Sequence, residues 1–207
     1  MNNFNEATQT LTITDKATAL KLRWVALAKA DPKNDVRPAT HYLHAYDGSV
    51  IGFDGHRIHR ADSLLAVPNG SYKVTSSRMT KVVMERVHDT VVTGFKGMLD
   101  RAWGLSEAAG YKVSAMIEHD WAYPQDPKDI TKHQMYLWNT LLWINEVLQN
   151  DYGIQPRYIQ DAVKYFGFSE VTRYDNPVAL RPPLLMLRNE KEMCQVVLSP
   201  FRKKIRK

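Results

Sequence analysis

Apolar and polar positions along the first thirty residues predict a strand followed by a helix. The run LTIT at 11–14 is a short strand pattern. From 15–30 the chain is rich in Ala and Leu, Asp15 is suited to cap the first turn, and the polar run DPKND ends the pattern. No acidic residue lies between Asp15 and Asp31. The predicted helix is therefore basic, although its cations do not form one stripe.

Apolar and polar residues alternate from His41 to Tyr46, and this pattern predicts the first strand of a hairpin. Asp47-Gly48 supplies a type I′ turn, and the chain returns as far as Phe53. Extended chain is expected after this hairpin, through RIHRADSLL and into the strand of VPNGSYKV.

Residues 75–88 predict a second helix. Met79, Val83 and Val87 follow a four-residue spacing that gives one apolar face, with charged residues opposite. TVVTGF and YKVSAMIEH then predict further strands.

The second half begins after a proline-rich polar segment at 123–131, which predicts a linker. The run MYLWNTLLWINEVL is apolar on every face, so its pattern leaves helix and strand open. Farther on, PRYIQDAVKYFG predicts a helix with Pro156 in its first turn and Gly167 just beyond its end. SEVTRYD, LLMLR and MCQVVL predict strands, the last two joined across NEKE. Both halves thus end in a helix followed by strands, which is typical of an α+β protein.

Composition narrows the class of protein. The chain has 207 residues, 44% hydrophobic and 24% charged, as in an ordinary globular protein of one or two domains. Its single cysteine, Cys194, excludes an internal disulfide framework and is expected to be a buried thiol on a strand. No signal peptide or membrane span is apparent, so we expect a cytoplasmic protein.

The net charge of +6 is concentrated at one end of the chain. Five cations fall in the last six residues, and without them the remainder is close to +1. A basic tail of this kind suits contact with a polyanion, although terminal basic runs are often only solvated. The five are Arg202, Lys203, Lys204, Arg206 and Lys207.

The spacing of the histidines does not favour a metal site. His41 and His44 are three apart, as are His56 and His59, and on a strand this spacing sends the two rings to opposite faces. With no cysteine nearby, hydrogen-bonded or solvated surface histidines are preferred to a metal site. The sequence also lacks nucleophile-elbow, Walker A, dinucleotide-binding and HExxH motifs, so we expect neither an enzyme nor a cofactor.

Four segments, in the right order, resemble the bacterial DNA polymerase sliding clamp, the β processivity subunit. DVRPATHYLHAYDGSVIGFDGHRIHRADS resembles strands of its middle domain, and YPQDPKDIT resembles its interdomain segment. IQPRYIQDAVKYF resembles a helix of the last domain, and RPPLLMLRNEKEMCQVVLSPFR resembles its closing hairpin. The resemblance spans residues 35 to 202, and together the four segments are far more specific than DGHR alone.

The resemblance implies a DNA-clamp fold with two clamp-like domains, helices on the inner face and antiparallel sheets outside. The expected boundaries are a middle-type domain at 1–122, a linker at 123–131 and a last-type domain at 132–207 that includes the basic tail. The second domain looks abbreviated, and the family's first domain has no counterpart. This brevity suggests a compact genome, such as that of a phage, whose protein would work in the host cytoplasm.

In clamps, the corresponding segments line an apolar pocket for short peptides of polymerases and other DNA enzymes. Apolar walls are expected from Ile58, Leu198, Pro200 and Phe201, and a polar rim from Arg57 and Arg202. Ser199 and Phe201 stand where the family has Met, which makes one side more polar and narrows the cleft. The implied pocket residues are Gly55, His56, Arg57, Ile58, Tyr123, Pro124, Val197, Leu198, Ser199, Pro200, Phe201 and Arg202.

The predicted helices also carry cations that would screen the phosphate backbone without reading sequence, with ordinary solvated helix faces as the alternative. These DNA-facing candidates are Lys16, Lys21, Arg23, Lys29, Arg78, Lys81, Arg157 and Lys164.

The function that these features predict is a sliding clamp that encircles duplex DNA and tethers a replicative polymerase. Because the family's ring contains six similar domains, three copies of this chain would complete one. Expected partners are duplex DNA, the polymerase and other proteins with clamp-binding peptides, with a clamp loader as a further candidate. The alternative is a clamp-like module that never encircles DNA and instead recruits or decoys clamp-binding proteins in replication, repair or transcription.

Overall fold

A computed structural model describes residues 3–89, 112–118, 122–126, 128–149, 152–176 and 182–202. The chain divides into two units, Met1–Ala102 and Trp103–Lys207. Each unit combines helix with antiparallel sheet, which confirms the predicted α+β class.

The first unit contains one antiparallel sheet of seven described strands. Their order across the sheet is β1-β2-β7-β6-β3-β4-β5. The strands are β1 Asn3–Asn5, β2 Thr10–Ile13, β3 Leu43–Tyr46, β4 Ser49–Phe53, β5 Arg57–Ala61, β6 Gly70–Arg78 and β7 Lys81–His88.

Helix α1, Lys16–Ala26, packs on β4 to β7 and closes the core of this unit. Asp15 caps its start by accepting a hydrogen bond from the Thr18 amide at 2.8 Å, as the sequence predicted. Trp24, Phe53 and Tyr72 are among the largest fully buried side chains, and they fix helix and sheet together. A short 3-10 helix, Pro38–His41, leads into β3.

The predicted hairpin is confirmed at β3 and β4. Asp47 and Gly48 both have positive φ, +48° and +75°, as a type I′ turn requires. Tyr46 pairs with Ser49 across the turn.

The helix predicted at 75–88 is wrong, because this segment belongs to the β6–β7 hairpin. Arg78 pairs with Lys81 next to a tip formed by Met79 and Thr80. Val82 and Met84 are buried while Lys81 and Glu85 are exposed, so the burial period is two. Pairing with β2 and β6 decides this segment over its four-residue apolar spacing.

The sheet of the second unit has the order β12-β11-β10-β8, also antiparallel. A separate two-stranded pair joins β9 to β13. The strands are β8 Lys112–Glu118, β9 Tyr152–Gly153, β10 Glu170–Asp175, β11 Leu184–Asn189, β12 Cys194–Leu198 and β13 Phe201–Arg202. The three predicted closing strands are confirmed, as is the burial of Cys194.

Of the two described helices of this unit, the longer packs on the second sheet and the shorter packs against the longer. The run that left helix and strand open lies in α2, Ile130–Leu148, which Asp129 caps by accepting from the Lys132 amide at 3.0 Å. Helix α3, Pro156–Ala162, starts at Pro156 as predicted but ends well before Gly167. Gly167 instead packs under aromatic rings: a Cβ there would lie 2.6 Å from Tyr123 Cβ.

The unit boundary differs from the predicted domain boundary. Strand β8 was assigned by sequence to the first domain, yet it pairs with β10 in the second sheet. The last residues of the predicted linker, Ile130 and Thr131, are helical. The predicted strand TVVTGF at 90–95 and most of the basic tail, 203–207, lie outside the described residues. Of the helices described, none has both the length and the apolar content to cross a bilayer.

Candidate functional site

The FDGHRIHR segment forms a tight turn between β4 and β5, built around one carboxylate. Asp54 accepts hydrogen bonds from the amides of His56 and Arg57, at 2.9 and 3.1 Å. Gly55 has φ +95°, a conformation that side chains with a Cβ rarely adopt. Sequence reasoning missed the role of Asp54, although an Asp two residues before a backbone donor is a recognised turn signal.

Arg57 fastens this turn to the end of helix α1. Its Nε donates to Asp54 Oδ2 at 3.1 Å, and its Nη2 donates to the Leu27 carbonyl at 2.7 Å. The side chain is only 3% exposed. Arg57 therefore does not form the exposed polar rim that the sequence predicted, because its donors satisfy carbonyl and carboxylate groups inside the unit.

His59 makes a second link between β5 and α1. Its Nδ1 donates to the Trp24 carbonyl at 3.0 Å, and its ring stacks on the Trp24 ring at 4.5 Å. The ring is fully buried, and among the described residues its Nε2 has no hydrogen-bond partner. Burial, with Arg57 close by, lowers the pKa of His59 to about 3, so the ring is neutral at physiological pH.

A buried location also corrects the prediction for His44. This ring was expected at the surface, but it is 1% exposed and hydrogen-bonds to Ser71 and to the Ala39 carbonyl. Burial lowers the pKa of His44 as well. Within the described residues, no group of histidine, cysteine or acidic side chains is arranged to hold a metal ion.

The outer side of the turn is covered by Arg37. A Cβ on Gly55 would meet Arg37 Nη1 at 2.6 Å, and Arg37 Nη2 donates to the Asp54 carbonyl at 2.8 Å. Asp35 holds the guanidinium in place, and this interaction lowers the pKa of the Asp35 carboxyl well below its usual range. Of the predicted pocket residues in this unit, Ile58 is buried and His56 is exposed.

In the second unit, Tyr123 anchors the chain ahead of α2. Its hydroxyl donates to the Lys164 carbonyl at 3.0 Å, and its ring meets the rings of His133 and Tyr136 at 5.3 and 5.2 Å. Burial raises the pKa of Tyr123 to about 12. Pro124, the next predicted pocket residue, is half-buried.

Phe201 is the exposed apolar residue of the closing segment. It is 51% exposed, and its backbone is held by pairing with Gly153. Val197 and Leu198 are buried in the core of the unit, Pro200 is buried and Ser199 is half-buried. Arg202 pairs with Tyr152 through its backbone. The predicted groups around Gly55 and Phe201 belong to different units, and their convergence on one pocket stays a prediction.

Helix α1 and the tip of the β6–β7 hairpin, both of which carry basic residues, are in contact in the first unit. Arg23 of α1 donates to Met79 Sδ at the tip of the β6–β7 hairpin. Arg78 and Lys81 flank this tip, and both are exposed. These two cations are therefore strand residues, not helical ones as predicted, yet the hairpin brings them to the helix that carries Arg23.

The other predicted DNA-facing cations are dispersed. Lys16, Lys21 and Lys164 are exposed or half-buried. Lys29 lies beyond the end of α1, where its Nζ donates to the His41 carbonyl at 3.2 Å and burial lowers its pKa. The exposed Arg157 pairs with the largely buried Asp161 at 3.7 Å. Sequence reasoning thus grouped residues that the fold distributes over both units.

One exposed apolar surface was not predicted as a functional site. Met135, Trp138 and Leu142 are 60%, 63% and 53% exposed along one side of α2, and we call this surface the α2 face. The signal was present in the sequence, because this helix is apolar on every side and a sheet can cover only one.

Comparison with known proteins gives matches among solved structures alone, since no protein-family model and no curated protein matches the sequence. The chain is similar to a putative DNA polymerase III β subunit from Eubacterium rectale, with 11% identity and a TM-score of 0.46 over 96% of this chain and 66% of that one. The DNA polymerase sliding clamp of Bacillus subtilis is similar with 11% identity and a TM-score of 0.48, over 96% of this chain and 65% of that one. A Helicobacter pylori β clamp bound to a DNA ligase peptide is similar with 9% identity and a TM-score of 0.48, over 94% of this chain and 66% of that one.

This is the family that the four sequence segments resemble. The chain spans about two thirds of the length of these clamps.

Acid should weaken the fold through His59. The pKa of His59 is about 3 in the folded state and 6.5 for the free side chain, so between these values only the unfolded chain takes up the proton. The free energy of unfolding should therefore fall as the pH is lowered from 6.5 toward 3, by about 2 kcal/mol at pH 5 from this residue. Urea denaturation at pH 7 and pH 5 measures the loss.

The substitution His59→Gln offers a donor to the Trp24 carbonyl without a titratable ring, and should lose less stability than wild type between these pH values. His56→Gln, at the exposed histidine of the same turn, is the matched control and should lose as much as wild type. An unchanged pH dependence in His59→Gln would contradict the assignment.

Proposed function

We propose that this chain is a non-enzymatic sliding clamp that encircles duplex DNA and tethers a replicative polymerase in the cytoplasm. The observation that carries the proposal is the order of four clamp-like segments along a chain of two α+β units. Two of these segments fold as elements that present partner-binding candidates: the Asp54 turn and the strand that starts at Phe201.

Non-specific contact with DNA is supported by the basic cluster of the first unit. Arg23, Arg78 and Lys81 come from a helix and a hairpin tip that touch through Met79. Such a cluster can bind phosphates without any contact to base edges. Binding of this kind is independent of sequence, as a protein that slides along DNA requires.

Binding of partner peptides is supported by the exposure of Phe201. An aromatic ring that is half exposed while its backbone is fixed by strand pairing offers apolar contact area with little loss of conformational freedom. The Asp54 turn is held by Arg57, Arg37 and the end of α1, so its exposed residue His56 is also presented on a fixed backbone.

A second candidate function is a clamp-like module that does not encircle DNA and recruits or decoys clamp-binding proteins. The α2 face favours this alternative, because three exposed apolar side chains are poorly suited to a helix that faces phosphates.

The first test concerns the partner site. A peptide of the Gln-x-x-Leu-Phe type should bind at micromolar strength, and Phe201→Ala should weaken binding by roughly 1–3 kcal/mol because an apolar contact is lost. Isothermal titration calorimetry measures both. Leu65→Ala, which removes an 86% exposed apolar residue elsewhere, is the control and should bind as wild type does. Equal affinity in Phe201→Ala and wild type would reject the assigned site.

The second test concerns DNA. Binding should be weak, indifferent to sequence and steeply dependent on salt, with a log–log slope near −0.9 for each phosphate contacted. Arg78→Gln combined with Lys81→Gln should reduce this slope, and deletion of 203–207 should reduce it further if the tail contributes. Fluorescence anisotropy over a salt series measures the slope. A strong preference for one duplex sequence would count against a sliding protein.

The third test concerns assembly. A ring of six similar domains needs three copies of a two-domain chain, joined head to tail through two different edges. We therefore expect species of three chains, or multiples of three, in native mass spectrometry at several protein concentrations, and slower release from closed circular than from linear DNA. Species that never contain three chains, with equal release from both DNA forms, would favour the non-encircling module.

A further inference from the structure

The α2 face is an apolar helix surface without a partner in the described part of the chain. The opposite side of the same helix is buried and includes Tyr136, Trp143, Ile144 and Val147. A helix that is apolar on both sides is normally covered on both, and exposed apolar patches of this kind mark sites of association.

The spacing along this face fits the seam of a helix pair. Met135, Trp138 and Leu142 follow the three–four spacing of a and d positions, at which side chains of one helix fit between those of another. Thr131 and Asn145 continue the same line one turn beyond each end, and both are exposed and uncharged. The seam is thus short, apolar in its centre and free of charge along its length.

Charges beside the seam are arranged so that the surface complements itself. Lys132 lies seven residues before Asn139 and Glu146 lies seven residues after it, so all three occupy the same heptad position next to the seam. When two copies of α2 run antiparallel and cross near Asn139, Lys132 of each copy lies beside Glu146 of the other. A parallel arrangement offers no such pairing, because this heptad position then faces a different position of the other helix.

Both charged side chains are accessible for this role. Lys132 is 72% exposed and makes a surface pair with Asp129 at 3.0 Å, an interaction that contributes little in water. Glu146 is exposed and takes part in none of the ion pairs among the described residues. Two copies therefore gain two intermolecular ion pairs and lose little.

We propose that the α2 face is a self-association surface, which pairs antiparallel with the same face of a second copy of this chain. The inference does not rest on the proposed clamp function. Three exposed side chains supply a few hundred Å² at most, against roughly 800 Å² per partner in a stable interface. The contact is accordingly weak and forms as the protein concentration rises.

The experiment compares the mass of the full chain in solution with that of its variants, by sedimentation velocity from low to high micromolar concentration. Trp138→Ser removes the centre of the seam at an exposed position. At high concentration, the wild-type mass should reach twice that of Trp138→Ser, and the association should weaken roughly tenfold or more in this variant. Leu65→Ser, which changes an equally exposed apolar residue in the first unit, is the matched control and should associate as wild type does.

Charge reversal tests the orientation. Lys132→Glu and Glu146→Lys should each weaken association roughly three- to tenfold, because each turns two attractive pairs into repulsive ones. The double variant should recover wild-type association, which loss of folding or of helix propensity would not produce. Equal masses for wild type and Trp138→Ser at every concentration, or a double variant as weak as the single ones, would overturn the proposal.

Discussion

The first unit depends on how the end of helix α1 is satisfied. The last carbonyls of a helix have no intrahelical donor, and leaving them buried without partners is costly. Strand β5 supplies side-chain donors: Arg57 reaches the Leu27 carbonyl, and His59 reaches the Trp24 carbonyl, which also accepts from the Leu27 amide. Because these residues alternate along one strand, both point to the same side of the sheet. Gly52 on β4 permits the close approach, since a Cβ there would lie 2.5 Å from the Val25 carbonyl oxygen.

This arrangement connects two features that the proposed function uses separately. The turn at Asp54, a candidate for partner contact, is held through Arg57 to the helix that carries Arg23, a candidate for DNA contact. Arg57 and His59, the side chains of this segment that most resemble a binding or catalytic group, thus make hydrogen bonds inside the unit. The exposed surface that remains for partners is formed by neighbours such as His56, and in the second unit by Phe201.

The second unit poses a different problem, since its long helix has more apolar surface than its sheet covers. Trp143 and Ile144 face the core while Trp138 faces solvent. A second copy of the same helix is a cover of matching size and charge, which links the uneven burial of α2 to assembly.

Local patterns decided much of this protein. The hairpin at Asp47-Gly48, the Asp15 cap, the Pro156 start and the three closing strands follow from turn chemistry, capping and apolar alternation, all of which act between residues close in sequence. The α+β class follows from these elements, and the clamp resemblance follows from the order of four segments.

Tertiary structure decided the conformation and the burial of segments whose local sequence pattern allows more than one outcome. Residues 75–88 satisfy a helical spacing, yet the ladders to β2 and β6 make them a strand and move Arg78 and Lys81 from a helix to a hairpin tip. The same holds for the histidines and for Arg57, whose burial depends on carbonyls of a helix thirty residues away in sequence. Strand pairing and desolvation are long-range interactions, and no pattern within one segment encodes the partner that supplies them.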